Sequence, residues 1–226
     1  MRNLFILSAL SLSLFATTAQ AQRRNPPPRK PVAATPVLPM PTKLDLPGLR
    51  LGAANPLPEL GVLDAVNSRT TALKSLAAEK GLVLIFISNT CNEVATEKKT
   101  IVKFAQQAKS AGLGVVYVNS NQRTLNELEG PPAMHEFALK EDIKEPYIID
   151  QRMQIADVFG VQRLPEVFIF NADGYLAYRG AVEVVPAGAG KEAFCFACEA
   201  LQNISNIGKI QYSMTAGKGC AIPPQE

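Results

Sequence analysis

The sequence predicts an α/β domain built on a central mixed sheet, with helices on both faces and a C-terminal β-hairpin plus helix. Three observations carry this. Short continuous apolar runs alternate with amphipathic stretches, which is the signature of strands buried on both faces and joined by helices. The hairpin signal Asn171-Ala172-Asp173-Gly174 lies late in the chain, between two apolar segments. A final apolar-faced stretch, from about Lys191 to Ile204, then reads as a closing helix.

Taken in order, the first 21 residues read as an export leader. Arg2 supplies a positive start, Leu4 to Phe15 an apolar stretch, and Ala19-Gln20-Ala21 a small-x-small cleavage site. Cleavage is expected after Ala21, with the mature protein periplasmic or extracellular. The apolar stretch is short for a membrane span, which wants about 20 residues, so membrane contact is expected only through the leader. Residues 22–58 hold ten prolines and little hydrophobic periodicity, which predicts a semi-rigid, proline-rich linker. The folded domain is expected over 59–226.

Within that domain, Leu73 to Lys80 predicts a short helix, and Leu82-Val83-Leu84-Ile85-Phe86-Ile87 a fully buried strand. Asn92 to Ser110 predicts a helix, with Val94, Ile101, Phe104, Ala105 and Ala108 on its inner face and Gly112 just past its end. Leu113 to Val118 predicts a second buried strand, Pro131 to about Lys140 a helix, Tyr147 to Ile149 a short strand, and Gln151 to Phe159 a helix stopped by Gly160. Val167 to Phe170 and Tyr175 to Tyr178 are the arms of the hairpin.

The formal charge of +3, partly carried by Arg2, Arg23, Arg24, Arg29 and Lys30 outside the expected domain, is too small to argue for nucleic acid. No glycine-rich phosphate loop, Gly-x-Ser-x-Gly elbow or paired acids for glycoside chemistry are present. Four cysteines and a single histidine, His135, remain as the chemically informative residues. No metal site and no cofactor are expected, because a cysteine pair with one distant histidine does not supply four well-spaced zinc ligands.

In an exported chain the four thiols are either structural disulfide partners or parts of a redox site. Cys91 is the candidate reactive group. It follows a buried strand and opens a helix, where unpaired N–H groups and the positive helix end favour the thiolate, the nucleophilic form. Thr90 and Ser88 are candidate hydroxyl donors to it. Arg163-Leu164-Pro165-Glu166 is the second element, since a proline at the mouth of a strand often marks a turn or a cis peptide. Cys195 and Cys198 form a C-x-x-C inside the expected last helix, where residues three apart sit about 5–6 Å from each other. A disulfide wants Cβ atoms about 3.8 Å apart, so closing this one would strain the helix unless its start frays. Three readings stay open: core residues on one helix face, a structural disulfide together or with Cys220, or a second redox pair.

Phe86-Ile87-Ser88-Asn89-Thr90-Cys91, Val116-Tyr117-Val118-Asn119-Ser120-Asn121, Pro146-Tyr147-Ile148-Ile149-Asp150, Val161 to Phe168 and Gly219-Cys220-Ala221-Ile222 together resemble the peroxiredoxin-like (redoxin) branch of the thioredoxin superfamily. The resemblance covers roughly Leu60 to Ile222. It implies a thioredoxin-like fold, with Cys91 as reactive thiol, Pro165 as the cis proline facing it, and Thr90, Arg163 and Pro165 around the substrate. It makes Cys220 the first choice to pair with Cys91, either as a resolving thiol or as a static clip on the tail. It also implies that the last helix starts at the active-site end of the sheet. The chain departs from the pattern at Val94, where a thioredoxin dithiol would have its second cysteine, at Leu84 and Asn92, where proline is usual, and at Leu164, where threonine is usual. The implied function is an exported thiol-dependent oxidoreductase. It would reduce peroxide or exchange disulfides with a protein, and a thiol reductant would restore it. The alternative is a non-catalytic binding module with a structural Cys91–Cys220 bond.

Overall fold

The computed structural model describes residues 47–121, 127–185, 193–206 and 214–222, all inside one compact unit, Leu38–Glu226. The expected leader, and the linker as far as residue 46, lie outside the described residues.

The chain forms β1 (Gly61–Asp64), β2 (Arg69–Ala72), β3 (Leu82–Ile87), α1 (Asn92–Ser110), β4 (Gly114–Asn119), α2 (Pro131–Lys140), β5 (Tyr147–Ile149), α3 (Gln154–Phe159), β6 (Arg163–Leu164), β7 (Glu166–Phe170), β8 (Leu176–Gly180), α4 (Phe196–Asn206) and β9 (Cys220–Ala221). Seven strands make one sheet in the order β2-β1-β5-β4-β3-β7-β8, and β6 pairs with β9 separately. β3 runs parallel to β4 and antiparallel to β7, so the mixed sheet turns from parallel to antiparallel at its most apolar strand. All six β3 side chains are buried, which explains why this segment is apolar without alternation. Phe86, Phe159, Phe168 and Phe170 pack ring to ring with centroids 5.3–6.0 Å apart.

α1 takes the expected bounds, and the five apolar residues named above are its buried ones. Its C-terminus is closed by Ala111, whose N–H donates to Gln107 O, and by Gly112 at φ 90°. Three elements differ from expectation. The helix expected over Leu73 to Lys80 is a single 3₁₀ turn, Leu73–Leu76, because Ala78 and Gly81 form a bridge. The helix from Gln151 is interrupted by positive φ at Arg152 and Met153, so regular α3 starts at Gln154, where Asp150 accepts from the Ile155 and Ala156 N–H groups. The last helix, expected from Lys191, opens at Phe196.

Residues ahead of β1 lie against the sheet domain. The Leu49 N–H donates to Phe159 O and the Gly52 N–H to Leu176 O. Gly48, at φ +88°, faces Gly160 so closely that a Cβ there would come 2.3 Å from Phe159 O.

Candidate functional site

β3 delivers the chain to Cys91, which is the N-cap of α1 with extended φ and ψ, and its carbonyl accepts from the Ala95 N–H. The bundle of N–H groups at the head of this 19-residue helix therefore faces the sulfur's surroundings. Cys91 is bonded to Cys220, with Cα atoms 5.9 Å apart and a sequence separation of 129. Across the bond lies the cis Leu164–Pro165 peptide, with Cys91 Sγ 3.5 Å from Leu164 O.

The tail that brings Cys220 here is latched at several points. β9 pairs with β6, so Leu164 is opposite Cys220 and Arg163 opposite Ala221. Gly219, at φ +89°, passes so close to α1 that a Cβ would come 2.6 Å from Glu93 Cβ and 2.3 Å from Leu164 O. Only glycine fits there, which explains the Gly-Cys pair. Lys218 Nζ lies 3.7 Å from Glu93 Oε1 and forms an ion pair with Glu97 Oε1. Burial pushes the Glu97 carboxyl up from its ordinary range, Lys218 pulls it back down, and Glu93 adds to the rise; Glu97 Oε2 has no partner. At the foot of the tail, Thr215 Oγ1 accepts from the Ala181 N–H, and Ile222 is buried in the core. As a result Cys91 is only 4% exposed: in this oxidised form the sulfur is covered, not open to solvent.

Thr90 does not aim its hydroxyl at Cys91. It donates to Glu129 Oε1 at 2.5 Å, and the Thr90 N–H donates to the same oxygen at 3.0 Å. Glu129 Oε2 accepts from the Asn89 N–H and from Asn119 Nδ2, and Oε1 also accepts from Asn121 Nδ2. This fully buried carboxylate holds the turn before Cys91 to the end of β4. Sequence reading missed it. The signal was the set of asparagines at two strand ends, Asn89, Asn119 and Asn121, whose amides require an acceptor. Tyr147, whose hydroxyl donates to Asn89 Oδ1 at 2.9 Å, stays protonated because burial drives its pKa far up, with Glu129 adding to the rise.

Arg163 lies beside the site, and its Nη1 donates to Gly219 O at 2.8 Å, so it clasps the tail. The buried guanidinium belongs to Arg179. It donates from Nε and Nη2 to Glu166 Oε1, and further to Pro47 O, Leu49 O and Gly160 O, and stacks 4.9 Å over the Phe168 ring. Arg163, Glu166, Arg179 and Gly217 line a cleft of about 150 Å³ beside the tail.

The other two cysteines are also bonded to each other, with Cα atoms 5.2 Å apart. The bond closes without bending a helix because α4 begins at Phe196, leaving Cys195 outside it. Cys198 Sγ lies 3.5 Å from Gln107 Oε1, in the last turn of α1. At 1.5 Å per residue, the sixteen residues from Cys91 to Gln107 span about 24 Å. The two disulfides therefore sit near opposite ends of α1, and the C-x-x-C is not at the Cys91 end. Among the described residues no group of three or more His, Cys, Asp or Glu side chains is placed to hold a metal. His135 Nδ1 lies 3.3 Å from Ala65 O.

A family model described as Redoxin matches residues 52–192, more than half of the chain. Thiol-disulfide oxidoreductase ResA of Bacillus subtilis (strain 168) is 26% identical over 113 residues, 50% of this chain and 59% of that protein. The ResA of Halalkalibacterium halodurans is 24% identical over 113 residues, 50% of this chain and 60% of its own. The chain thus spans about three fifths of the curated relatives it matches. Among solved structures, an uncharacterized conserved protein from Geobacillus kaustophilus superposes with TM-score 0.69 at 21% identity, covering 78% of this chain and 93% of that one. A putative thiol:disulfide interchange protein DsbE from Chlorobium tepidum does so with TM-score 0.51 at 18% identity, covering 70% and 99%. At these identities they establish a shared fold, and the thioredoxin-like arrangement is the one found.

Proposed function

The chain belongs to the redoxin family, and from that premise we propose that it is an exported thiol-dependent oxidoreductase working through Cys91, with Cys220 as the resolving thiol. The observation that carries the reading is the Cys91–Cys220 bond at the head of α1, opposite Pro165. The likeness to thiol-disulfide oxidoreductases over 113 residues supports disulfide exchange as the main reaction.

In the reduced protein the helix end favours the Cys91 thiolate. It attacks a sulfur of a protein disulfide, the partner's other sulfur leaves as thiolate, and Cys220 then attacks Cys91 to free the partner's second thiol. Two electrons pass to the substrate, and Cys91–Cys220 re-forms. With a peroxide, Cys91 takes one oxygen to become a sulfenic acid and releases an alcohol or water. Cys220 condenses with it, releasing water. A thiol reductant resets either cycle. The cis Leu164–Pro165 peptide lies across from the bond, Arg163 holds the tail, and Thr90, through Glu129, positions the turn. Before each cycle the tail must lift, because Cys91 is covered in the oxidised form. That same burial is the observation favouring the second reading, a binding module whose tail bond is a permanent clip.

The test uses the mature protein, expected to begin at Gln22. Hydrogen peroxide consumption and dithiothreitol-driven insulin reduction are followed with Cys195→Ser/Cys198→Ser protein and with the same protein also carrying Cys91→Ser. Loss of the Cys91-dependent rate by about a hundredfold or more is expected. Equal, background-level rates in both proteins would leave the binding module.

A further inference from the structure

Cys195 and Cys198 stand apart from this chemistry, and their geometry is not that of buried packing residues. Cys195 precedes α4 and Cys198 lies in its first turn, so the bond spans the entry to an 11-residue helix. The Cys198 N–H points at Cys195 Sγ, 3.2 Å away. Both residues are half-buried, and Cys198 Sγ touches Gln107 Oε1 on the exposed side. Val184 bridges Phe194, the residue before Cys195, and Val185, which follows Val184, is 48% exposed.

We propose that Cys195 and Cys198 form a second thiol–disulfide exchange centre, independent of Cys91, whose partner is a protein dithiol or disulfide. An N–H aimed at a sulfur stabilises charge on it, and a sulfur that carries charge well is the better leaving group. An incoming partner thiolate attacks Cys198 Sγ, the Cys195–Cys198 bond breaks, and Cys195 leaves as thiolate. The partner's second thiol then attacks the mixed disulfide and frees Cys198. The partner loses two electrons and two protons, and the pair gains them. In the reverse direction the reduced pair hands both to a protein disulfide. The separation of about 24 Å along α1 forbids direct exchange with Cys91 in the same chain, so this centre does not depend on the function proposed above.

The probe is insulin with dithiothreitol, using mature Cys91→Ser/Cys220→Ser protein, which leaves Cys195–Cys198 as its single disulfide. Insulin reduction about tenfold faster than with dithiothreitol alone is expected, with the gain lost on adding Cys195→Ser/Cys198→Ser. A folded double variant that gives no acceleration overturns the proposal. If that variant does not fold, native wild type is treated with dithiothreitol and trapped with N-ethylmaleimide. Labelling of Cys195 and Cys198 as fast as oxidised glutathione is reduced, with far-UV circular dichroism unchanged, supports the centre. Protection of both until global unfolding overturns it.

Discussion

Two disulfides sit near the two ends of one helix and close loops of very different size. Cys91–Cys220 has a sequence separation of 129 and Cys195–Cys198 a separation of 3. In the chain-entropy account the long loop stabilises the fold by about 5 kcal/mol and the short one by about 2 kcal/mol. The long bond is also the strongest of the tail's attachments. The others include a two-residue ladder, one Arg163 hydrogen bond to Gly219 O, the Lys218 ion pairs and the Thr215 contact with the Ala181 N–H. Breaking it therefore changes both stability and access to Cys91, whereas breaking the short bond leaves the chain path almost where it was. A working disulfide placed this way doubles as a latch on its own active group.

The largest expected effect follows from removing that latch. Cys91→Ser is expected to abolish peroxide turnover and to lower unfolding free energy by up to about 5 kcal/mol, read by urea denaturation of the oxidised proteins. Next comes Glu129→Ala. It strips the acceptor from the Asn89 and Thr90 N–H groups and from Asn119 Nδ2. Only the Asn119 amide is fully buried, at about 1–3 kcal/mol for a buried donor left unmet, so a loss of roughly 2 kcal/mol is expected, together with slower turnover at Cys91 and no change in the redox state of Cys195–Cys198. Cys195→Ser/Cys198→Ser is expected to cost about 2 kcal/mol and to leave peroxide turnover intact. A loss as large as that of Cys91→Ser would erase the contrast.

Glu97→Gln gives the smallest effect and one with a pH signature. Burial raises the Glu97 pKa in the folded protein, so the folded state binds more protons than the unfolded one. The stability that the protonated carboxyl contributes is fully present below the unfolded pKa and is lost as pH rises through the raised value. Glutamine mimics the protonated form. The variant is therefore expected to match wild type in acid and to melt slightly higher at pH 7, measured as the difference in Tm across that range.

The contrast also marks what the sequence could reveal. β3, α1 and α2 were legible to the residue because unbroken apolarity, 3.6-residue spacing and Pro131-Pro132 are local signals. The pairing of Cys91 with Cys220 was legible only through resemblance, since nothing local to either residue encodes a partner so far along the chain. The short C-x-x-C was misplaced by a few residues of helix: an opening at Lys191 puts both cysteines inside, and an opening at Phe196 leaves Cys195 free to bend toward Cys198. Glu129 was hidden because a carboxylate in a loop looks solvated until Asn89, Thr90, Asn119 and Asn121 are brought around it. Arg179 was hidden likewise, its partners being carbonyls of Pro47, Leu49 and Gly160 that no periodicity brings together.

The most direct test of the account is the fate of Cys91–Cys220 in the native protein under excess dithiothreitol, followed after quenching by mass spectrometry of the trapped cysteines. The bond is predicted to open without loss of helical signal and, once the dithiothreitol has been removed, to re-form within seconds of adding one equivalent of hydrogen peroxide or a disulfide substrate. A bond that resists the reductant until the whole domain unfolds would contradict the account.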